Sequence, residues 1–475
     1  MTQIRVDSVI RIKDVPEEQL AIIKKDLTMS NPEYHKKKNM GIPVWSIPKQ
    51  IKLYEENSNE YVLPRGYLAR LWNVCRLMPP LKNYTDNRRR IYGPKFQNKT
   101  SLRDYQIPAI QQAKNWEQGI IKMPCGSGKT ETALAIVAEL QQPTLWITHT
   151  VDLLKQSMDR AIKNLGLEGG EIGVIQGKNF SIGTHMTFAT VQTLSKRDLS
   201  EIKDKFGCIV IDECHLVFKD YKNTRMFQSV ISQFPAHYRF GVTASDYRSD
   251  GLINTMYHVI GPTLYEVTDN QLLASGHIVI PRVEFYETDF SYTPQEDEML
   301  NVKKMLEKMC QDGRRNSILL NILTHDIKQN DCCLVLGDSL KHLEQLSNIV
   351  NQPSKKAAYI NGTTPKKARE KALEGMRSGE YTYLFATYQL AKLGLDIPRL
   401  NKLVFATPKK DKTSIQQSVG RIMRPFPGKE KPIVYDLYDV SIPQLRYWAR
   451  DRCKVYQSLS CEILDGPAIK NKKVI

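Results

Sequence analysis

Asp212-Glu213-Cys214-His215 closes the apolar run Cys208-Ile209-Val210-Ile211, and two adjacent carboxylates at such a point could do phosphate chemistry. A short apolar run bounded this way reads as a buried parallel strand. Carboxylates at its C-terminal end stand where open α/β sheets keep their ligands. Oxygen ligands there suit a hard cation such as Mg²⁺, which usually arrives with phosphates.

A second string lies upstream, Pro124-Cys125-Gly126-Ser127-Gly128-Lys129-Thr130. It follows the apolar stretch 119–123 and opens 131–140, a run of good helix formers with an apolar stripe at helical spacing. Strand, glycine-rich turn and helix is the context of a phosphate-binding loop. The glycines let backbone N–H groups approach phosphates, and the helix N-terminus adds positive potential. Lys129 would then reach the β/γ-phosphates of a nucleoside triphosphate, and Thr130 would hold Mg²⁺. The pattern departs at Met123, where glycine is the general choice. The plain alternative is an ordinary glycine-rich turn.

Downstream, Gln417-Ser418-Val419-Gly420-Arg421-Ile422-Met423-Arg424 sets Gln417, Arg421 and Arg424 four and three residues apart, on one helical face. Two arginines there would suit a γ-phosphate on which charge develops. Alone, the same spacing describes a solvated basic face.

These residues need elements to position them. Strands are expected at 120–123, 144–148, 186–189, 208–211 and 239–242, alternating with helices over 100–270. That alternation predicts a doubly wound parallel sheet. A second lobe of the same kind is expected over 271–445, with strands near 332–336, 383–386, 403–406 and 433–435. It has no phosphate loop of its own, so a single nucleotide between two lobes is expected. Residues 1–99 read as strand, helix, strand, helix, with the basic clusters Lys36-Lys37-Lys38 and Arg88-Arg89-Arg90 in polar connections. That module would either touch duplex phosphates or cap the first lobe. A basic tail, 446–475, would follow. The interleaved bases and aromatics of 444–450 could stack on nucleotides or pack on the second lobe.

Composition narrows the class. The chain has 475 residues, 41% hydrophobic and 25% charged, which is globular and without a disorder signature. Nine cysteines lack paired spacing, so neither a disulfide framework nor a zinc site is indicated and a reducing compartment is expected. The N-terminus lacks a signal-peptide core, and no apolar stretch is long enough to span a bilayer. The net charge of +17 is uneven: residues 1–100 carry +9, residues 401–475 carry +8, and the middle is balanced. Basic ends favour a polyphosphate partner through counterion release, although a solvated, solubilising surface has the same composition.

Together these motifs resemble those of the superfamily-two helicases, and the resemblance runs over most of the chain. Leu102-Arg103-Asp104-Tyr105-Gln106 is similar to the adenine-reading Q motif. The segments 147–156 and 189–194 resemble motif Ia and the strand-contacting motif after it. Gly241-Val242-Thr243-Ala244-Ser245 resembles motif III. Phe385-Ala386-Thr387 through Gly394-Leu395-Asp396-Ile397-Pro398 resembles motif V, and 417–424 resembles motif VI. The resemblance implies two RecA-like lobes using ATP and Mg²⁺. In that reading Asp212 organises the metal, Glu213 polarises the attacking water, and Gln417, Arg421 and Arg424 complete the catalytic set. Arg103, Gln106 and Asp396 would join residues 124–130 in binding the nucleotide. Thr148, His149, Thr190, Gln192 and Thr387 are the implied nucleic-acid contacts, with His149 standing where proline is often seen.

A narrower resemblance adds the XPB-like branch, through Asp246-Tyr247-Arg248-Ser249-Asp250-Gly251, in which Ser249 replaces an acid. Asn31-Pro32-Glu33-Tyr34, Ile47-Pro48-Lys49 and Leu63-Pro64-Arg65-Gly66 look like the small DNA-recognition domain of bacteriophage helicases of the UvsW type. This implies an ATP-dependent helicase or translocase acting 3′ to 5′ on forked or branched DNA, duplex and single-stranded. It also implies a bacterial or phage-infected cytoplasm and replication or recombination proteins as partners. The alternatives are a DExH RNA helicase, the motor subunit of a restriction or repair nuclease, and a non-catalytic module with a degenerate nucleotide site.

Overall fold

The computed structural model describes residues 2–58, 60–76, 83–124, 126–216, 221–244, 252–293, 301–392 and 395–464. Cys125, Ser245, the element at 246–251, Gly394 and the chain from 465 onward lie outside the described residues. The chain divides into two compact units. One comprises Met1–Pro124 and Gly128–Val267; the other comprises Thr268–Ile475 with Cys125–Ser127.

The first unit holds two large sheets and a separate two-stranded pair. The larger has eight strands in the order Asn179–Phe180, Ile172–Gln176, Met186–Thr190, Thr144–Thr148, Cys208–Asp212, Tyr238–Thr243, Gln118–Lys122 and Thr263–Glu266. All pairings are parallel except the first. The run Cys208–Asp212 is buried throughout, as expected of a strand covered on both faces. Helix Lys129–Leu140 begins at Gly128, whose φ of +81° lets the chain turn tightly into it, and buries seven consecutive residues, Thr132 to Ala138. Register aligns Asp212 with Val242 and Thr243 with Lys122, so three strands deliver their C-terminal residues to one edge.

The smaller sheet belongs to the N-terminal residues, in the order Glu55–Asn57, Glu60–Leu63, Ile10–Lys13, Gln3–Val6 and Tyr84–Asp86. Gln3–Val6 and Ile10–Lys13 pair antiparallel as a hairpin. Its own core gathers Ile4, Val6, Ile10, Ile12, Leu63, Tyr67 and Leu71.

This sheet is bolted to the larger one by Arg65. Its Nε donates to Gln118 Oε1 at 2.8 Å and its Nη1 to the Ala236 carbonyl at 2.5 Å, while Gln118 Nε2 returns a bond to the Arg65 carbonyl at 3.0 Å. Buried bonds from a charged donor contribute about 1.5–3 kcal/mol each. Gly66 is needed beside it, because a Cβ there would lie 2.6 Å from the backbone of Gly261 and His258. Arg239 reaches back to the Ser8 carbonyl at 3.1 Å. A cleft of about 630 Å³ follows this joint, lined in part by Arg11, Arg65, Arg225 and Arg239, and none of the phosphate-loop or carboxylate residues lines it.

The Arg88-Arg89-Arg90 cluster is not an open phosphate surface. Arg88 Nη2 pairs with Asp86 at 2.7 Å and Glu117 at 3.1 Å, Arg89 with Asp204 at 3.2 Å, and Arg90 with Glu117 at 2.5 Å. Its charge is neutralised within the unit, by Asp86 close in sequence and by Glu117 and Asp204 remote from it. The hydrogen bond from His237, with Arg88 and Arg90 nearby, holds the Glu117 carboxyl down to about 2. A depressed folded value means that the stabilisation from Glu117 is fully present above its ordinary 4.5 and is lost as pH falls through about 2. The unfolding midpoints of wild type and Glu117→Gln should therefore differ near neutral pH and converge in acid titration; a gap unchanged at pH 2 would contradict the clamp.

The second unit is a seven-stranded, all-parallel sheet in the order Ala357–Ile360, Tyr383–Thr387, Cys333–Gly337, Lys402–Phe405, Ile433–Asp439, Arg282–Thr288 and Glu462–Leu464. Residues 444–450 are part of helix Pro443–Ser458. Leu445 and Trp448 pack with Phe290, Met305 and Met309, which leaves Tyr447 as the exposed aromatic of that stretch. The eight described cysteines are free and buried, and among the described residues no helix is long and apolar enough to cross a membrane.

Candidate active site

The edge defined by Asp212, Thr243 and Lys122 is where the first unit concentrates its chemistry. Lys129 Nζ lies 3.4 Å from Glu213 Oε1, so the phosphate-loop cation and the second carboxylate already face one another. Glu213 has φ of +45°, a left-handed conformation that side chains with a Cβ rarely adopt. Strain of this kind persists where surrounding structure fixes it, and it clusters at functional sites. Here it turns the Glu213 side chain back across the strand end toward Lys129 and His215.

Asp212 is buried and held from two sides. Ser157 Oγ donates to Oδ2 at 2.9 Å, and the Glu213 N–H donates to Oδ1 at 2.9 Å. Burial and the neighbouring Glu213 charge push the Asp212 carboxyl up from its ordinary range. Burial alone would raise Glu213 as well, but Lys129 and His215 hold it below its usual value. The pair thus has one carboxylate kept ionised by cations and another whose ionised form calls for a further positive charge. With the hydroxyl of Thr130, which follows Lys129 in the chain, this hard-oxygen donor set fits a Mg²⁺ ion bound with phosphates.

His215 connects this pair to the neighbouring strand. Its Nδ1 lies 2.8 Å from Thr243 Oγ1 and 3.4 Å from Glu213 Oε2. Gly241, on the same strand, is dictated by packing, since a Cβ would meet Cys214 Sγ at 2.9 Å. The string 212–215 therefore alternates between chemistry (Asp212, Glu213) and contact with the strand beside it (Cys214, His215).

Gln106 and Arg103 build the entry to the loop. Gln106 Nε2 donates to Thr132 Oγ1 at 2.8 Å and to the Gly128 carbonyl at 3.2 Å, while its Oε1 accepts the Arg103 N–H at 2.8 Å. A buried Gln106 thus fixes the turn from which Lys129 and Thr130 emerge. Arg103 Nη1 donates to Tyr105 Oη at 2.7 Å. The loop glycines have φ of +82° at Gly126 and +81° at Gly128, and Met123 donates its N–H to the Thr243 carbonyl at 2.9 Å. Met123 is buried, so packing beneath the loop accounts for that departure from glycine.

The implied nucleic-acid contacts of the first unit come together at the same end of the sheet. Thr148 and Thr190 are in register on adjacent strands. Both are buried: Thr148 Oγ1 donates to the Thr150 carbonyl at 3.1 Å, and Thr190 Oγ1 meets Thr193 Oγ1 at 2.8 Å. They order the loop ends. His149 and Gln192 are the half-exposed members, joined by a bond from Gln192 Nε2 to the His149 carbonyl at 3.0 Å. Helix Val151–Leu165 runs from this point to Ser157, linking it physically to Asp212.

In the second unit, Arg421 is buried and donates through Nη1 to the Leu395 carbonyl at 2.5 Å and through Nη2 to the Ala391 carbonyl. Arg424 Nη1 pairs with Asp396 Oδ1. The arginines and Asp396 are therefore brought together there, Gln417 stands one turn before Arg421 on helix Lys412–Ile422, and Thr387 ends the strand Tyr383–Thr387.

Sequence spacing gave no sign of Ser157, which lies 55 residues from Asp212. As a positioning residue it should act on the metal more than on the fold. Ser157→Ala should raise the Mg²⁺ concentration for half-maximal turnover by about tenfold, within the range seen when outer hydrogen bonds to metal ligands are removed. An unchanged Mg²⁺ dependence would remove it from this role.

Family models and known relatives match the chain in both units. A family model described as "Type III restriction enzyme, res subunit" matches residues 99–247, and one described as "Helicase conserved C-terminal domain" matches residues 314–425. A protein of Acanthamoeba polyphaga mimivirus, "Putative ATP-dependent RNA helicase L396", is 28% identical over 93% of this chain and 82% of its own length. "DNA 3'-5' translocase XPB2" of Sulfurisphaera tokodaii is 26% identical over 70% of this chain and 80% of its own length. Among solved structures, S. cerevisiae Dbp5 bound to RNA and ADP BeF3 superposes with a TM-score of 0.53 over 73% of this chain and 85% of that one, at 13% identity, which shows the shared fold. The chain belongs to the superfamily-two helicases and is XPB-like.

Proposed function

We propose that this ATP-dependent helicase acts on DNA, hydrolysing ATP to unwind or branch-migrate forked and branched substrates with 3′ to 5′ movement. The observation that carries the catalytic part is the approach of Lys129 to Glu213 beside the buried Asp212. When bound, ATP supplies the phosphoanhydride and Mg²⁺ neutralises phosphate charge. Lys129 exchanges Glu213 for the phosphates. The freed Glu213, which His215 still faces, accepts a hydrogen bond from the attacking water and orients it. Asp212 and Thr130 hold the metal, and Gln106 keeps the loop in its turn. Arg421 and Arg424 meet the charge that develops on the γ-phosphate, Arg424 by leaving Asp396. His149 and Gln192 are the strand contacts of the first unit.

For DNA, the support is the activity in the archaeal relative's name together with the basic ends of the chain. The mimivirus relative's name supports a second reading, an RNA helicase with the same motor. ATP hydrolysis measured with single-stranded DNA, forks, four-way junctions and RNA duplexes separates them. Stimulation greatest with forked or junction DNA is expected; stimulation by RNA alone would overturn the DNA assignment.

A further inference from the structure

Residues 31–49 leave the N-terminal core and return to it at a clasp. The strands Thr28–Ser30 and Gln50–Lys52 pair antiparallel at the base. Asn31, fully buried, closes the ring: its N–H donates to the Lys49 carbonyl at 3.0 Å, and its Nδ2 to the Pro48 carbonyl at 2.9 Å. Its Oδ1 accepts the Glu33 N–H at 3.1 Å and so caps helix Pro32–Asn39. One side chain therefore fixes both ends of the excursion and starts its helix.

What this fixed base carries is unusual for a solvated loop. Helix Pro32–Asn39 buries none of its residues. Beyond it Met40 is 63% exposed, Ile42 is 42% exposed and Trp45 is 91% exposed, so no other tryptophan of the chain is as open to solvent. The same stretch has four lysines against a single acid, Glu33, which pairs with Lys37 at 2.8 Å. Lys36, Lys38 and Lys49 have no acidic partner among the described residues. Large apolar side chains exposed together mark interaction surfaces. Protein interfaces enrich tryptophan but deplete lysine, whereas grooves for single-stranded nucleic acid combine aromatic platforms with backbone-tracking cations.

We infer that residues 31–49 form a nucleic-acid contact in which Trp45 stacks on an unpaired base while Lys36, Lys38 and Lys49 lie along the adjoining phosphates. The inference rests on the nucleic-acid motor reading and adds to it a specific element outside the motor motifs. It also explains why the N-terminal module retains a lysine-rich surface although its arginine cluster is neutralised.

The test uses the full chain and labelled oligothymidylate, oligouridylate and a forked DNA duplex. Trp45→Ala should weaken binding by about tenfold, the scale of removing one base–aromatic stack, and Trp45→Phe should retain most of the affinity. Replacing Lys36, Lys38 and Lys49 by glutamine should flatten the dependence of log Kd on log salt, by about 0.7 for each phosphate that is no longer neutralised. Because all these side chains are exposed, the unfolding midpoint should not move. Trp45→Ala binding all three probes like wild type would overturn the inference and leave the patch to a protein partner; an equal weakening in Trp45→Phe would overturn the stacking. Wild-type ATP hydrolysis, measured in the same preparations, keeps the two readings apart. Failure of every nucleic acid to stimulate it would defeat the motor reading, whereas normal stimulation with unaltered Trp45→Ala binding defeats only this contact.

Discussion

Glu213→Gln should cut ATP turnover by about 10²–10⁴-fold, the usual contribution of a positioned acid–base group, while ATP and nucleic-acid binding persist. The physical basis is local. Glu213 stands at the end of Cys208–Asp212 in a left-handed conformation, with Lys129 3.4 Å from one oxygen and His215 3.4 Å from the other. The amide keeps the shape and hydrogen-bonding reach but loses the charge that polarises water. It also removes the anion facing Lys129, so the lysine is left more available to phosphate and nucleotide affinity should not fall. Steady-state turnover with equilibrium nucleotide binding reads both quantities. Turnover near the wild-type rate would remove Glu213 from the water-polarising role, and loss of nucleotide binding would mean that the Lys129 contact is structural.

The largest effect on stability is expected at Arg452. It meets Asp436 through two parallel bonds, Nε to Oδ2 at 2.7 Å and Nη2 to Oδ1 at 2.9 Å, and Tyr456 Oη donates to the same carboxylate at 2.7 Å. Both charged side chains are 1% exposed. Arg452→Ala would leave the Asp436 carboxylate buried without its counter-charge, which costs about 3–5 kcal/mol in comparable cases. Whole domains are stable by only about 5–15 kcal/mol, so the second unit should unfold in an early, separate transition. Arg452→Lys keeps the charge but not the fork and should fall between. Denaturant unfolding followed by circular dichroism gives the answer. A midpoint matching wild type would mean that helix Pro443–Ser458 is not anchored by this pair.

Glu213 and Arg452 differ in how much of their role could be read from sequence. Lys129, Asp212 and Glu213 stand in strings whose spacing carries the chemistry locally. The central strands behind them are continuous apolar runs, and Cys208–Asp212 proved buried at every residue. Edge strands such as Glu55–Asn57, Asn179–Phe180 and Glu462–Leu464 are short and mostly exposed, so no periodicity distinguishes them from loops. Ion pairing between remote residues left no trace either. Arg88-Arg89-Arg90 reads as a phosphate surface until Glu117 and Asp204 are seen beside it. Arg65 finds its partners 53 and 171 residues away, and Arg452 looked like part of a basic tail before its carboxylate was in view. Charge counts alone do not separate a cation that awaits a ligand from one already paired within the fold. Lys36 and Lys38 belong to the first kind, and the arginine cluster to the second.

Displacement of a labelled strand from forked DNA tests the central claim most directly, with wild type and Glu213→Gln side by side and with 3′-tailed and 5′-tailed forks. ATP-dependent displacement of the 3′-tailed fork by wild type, and none by Glu213→Gln, is the result expected of a 3′ to 5′ motor driven from this carboxylate pair. Equal displacement without ATP, equal displacement by Glu213→Gln, or displacement confined to the 5′-tailed fork would contradict it.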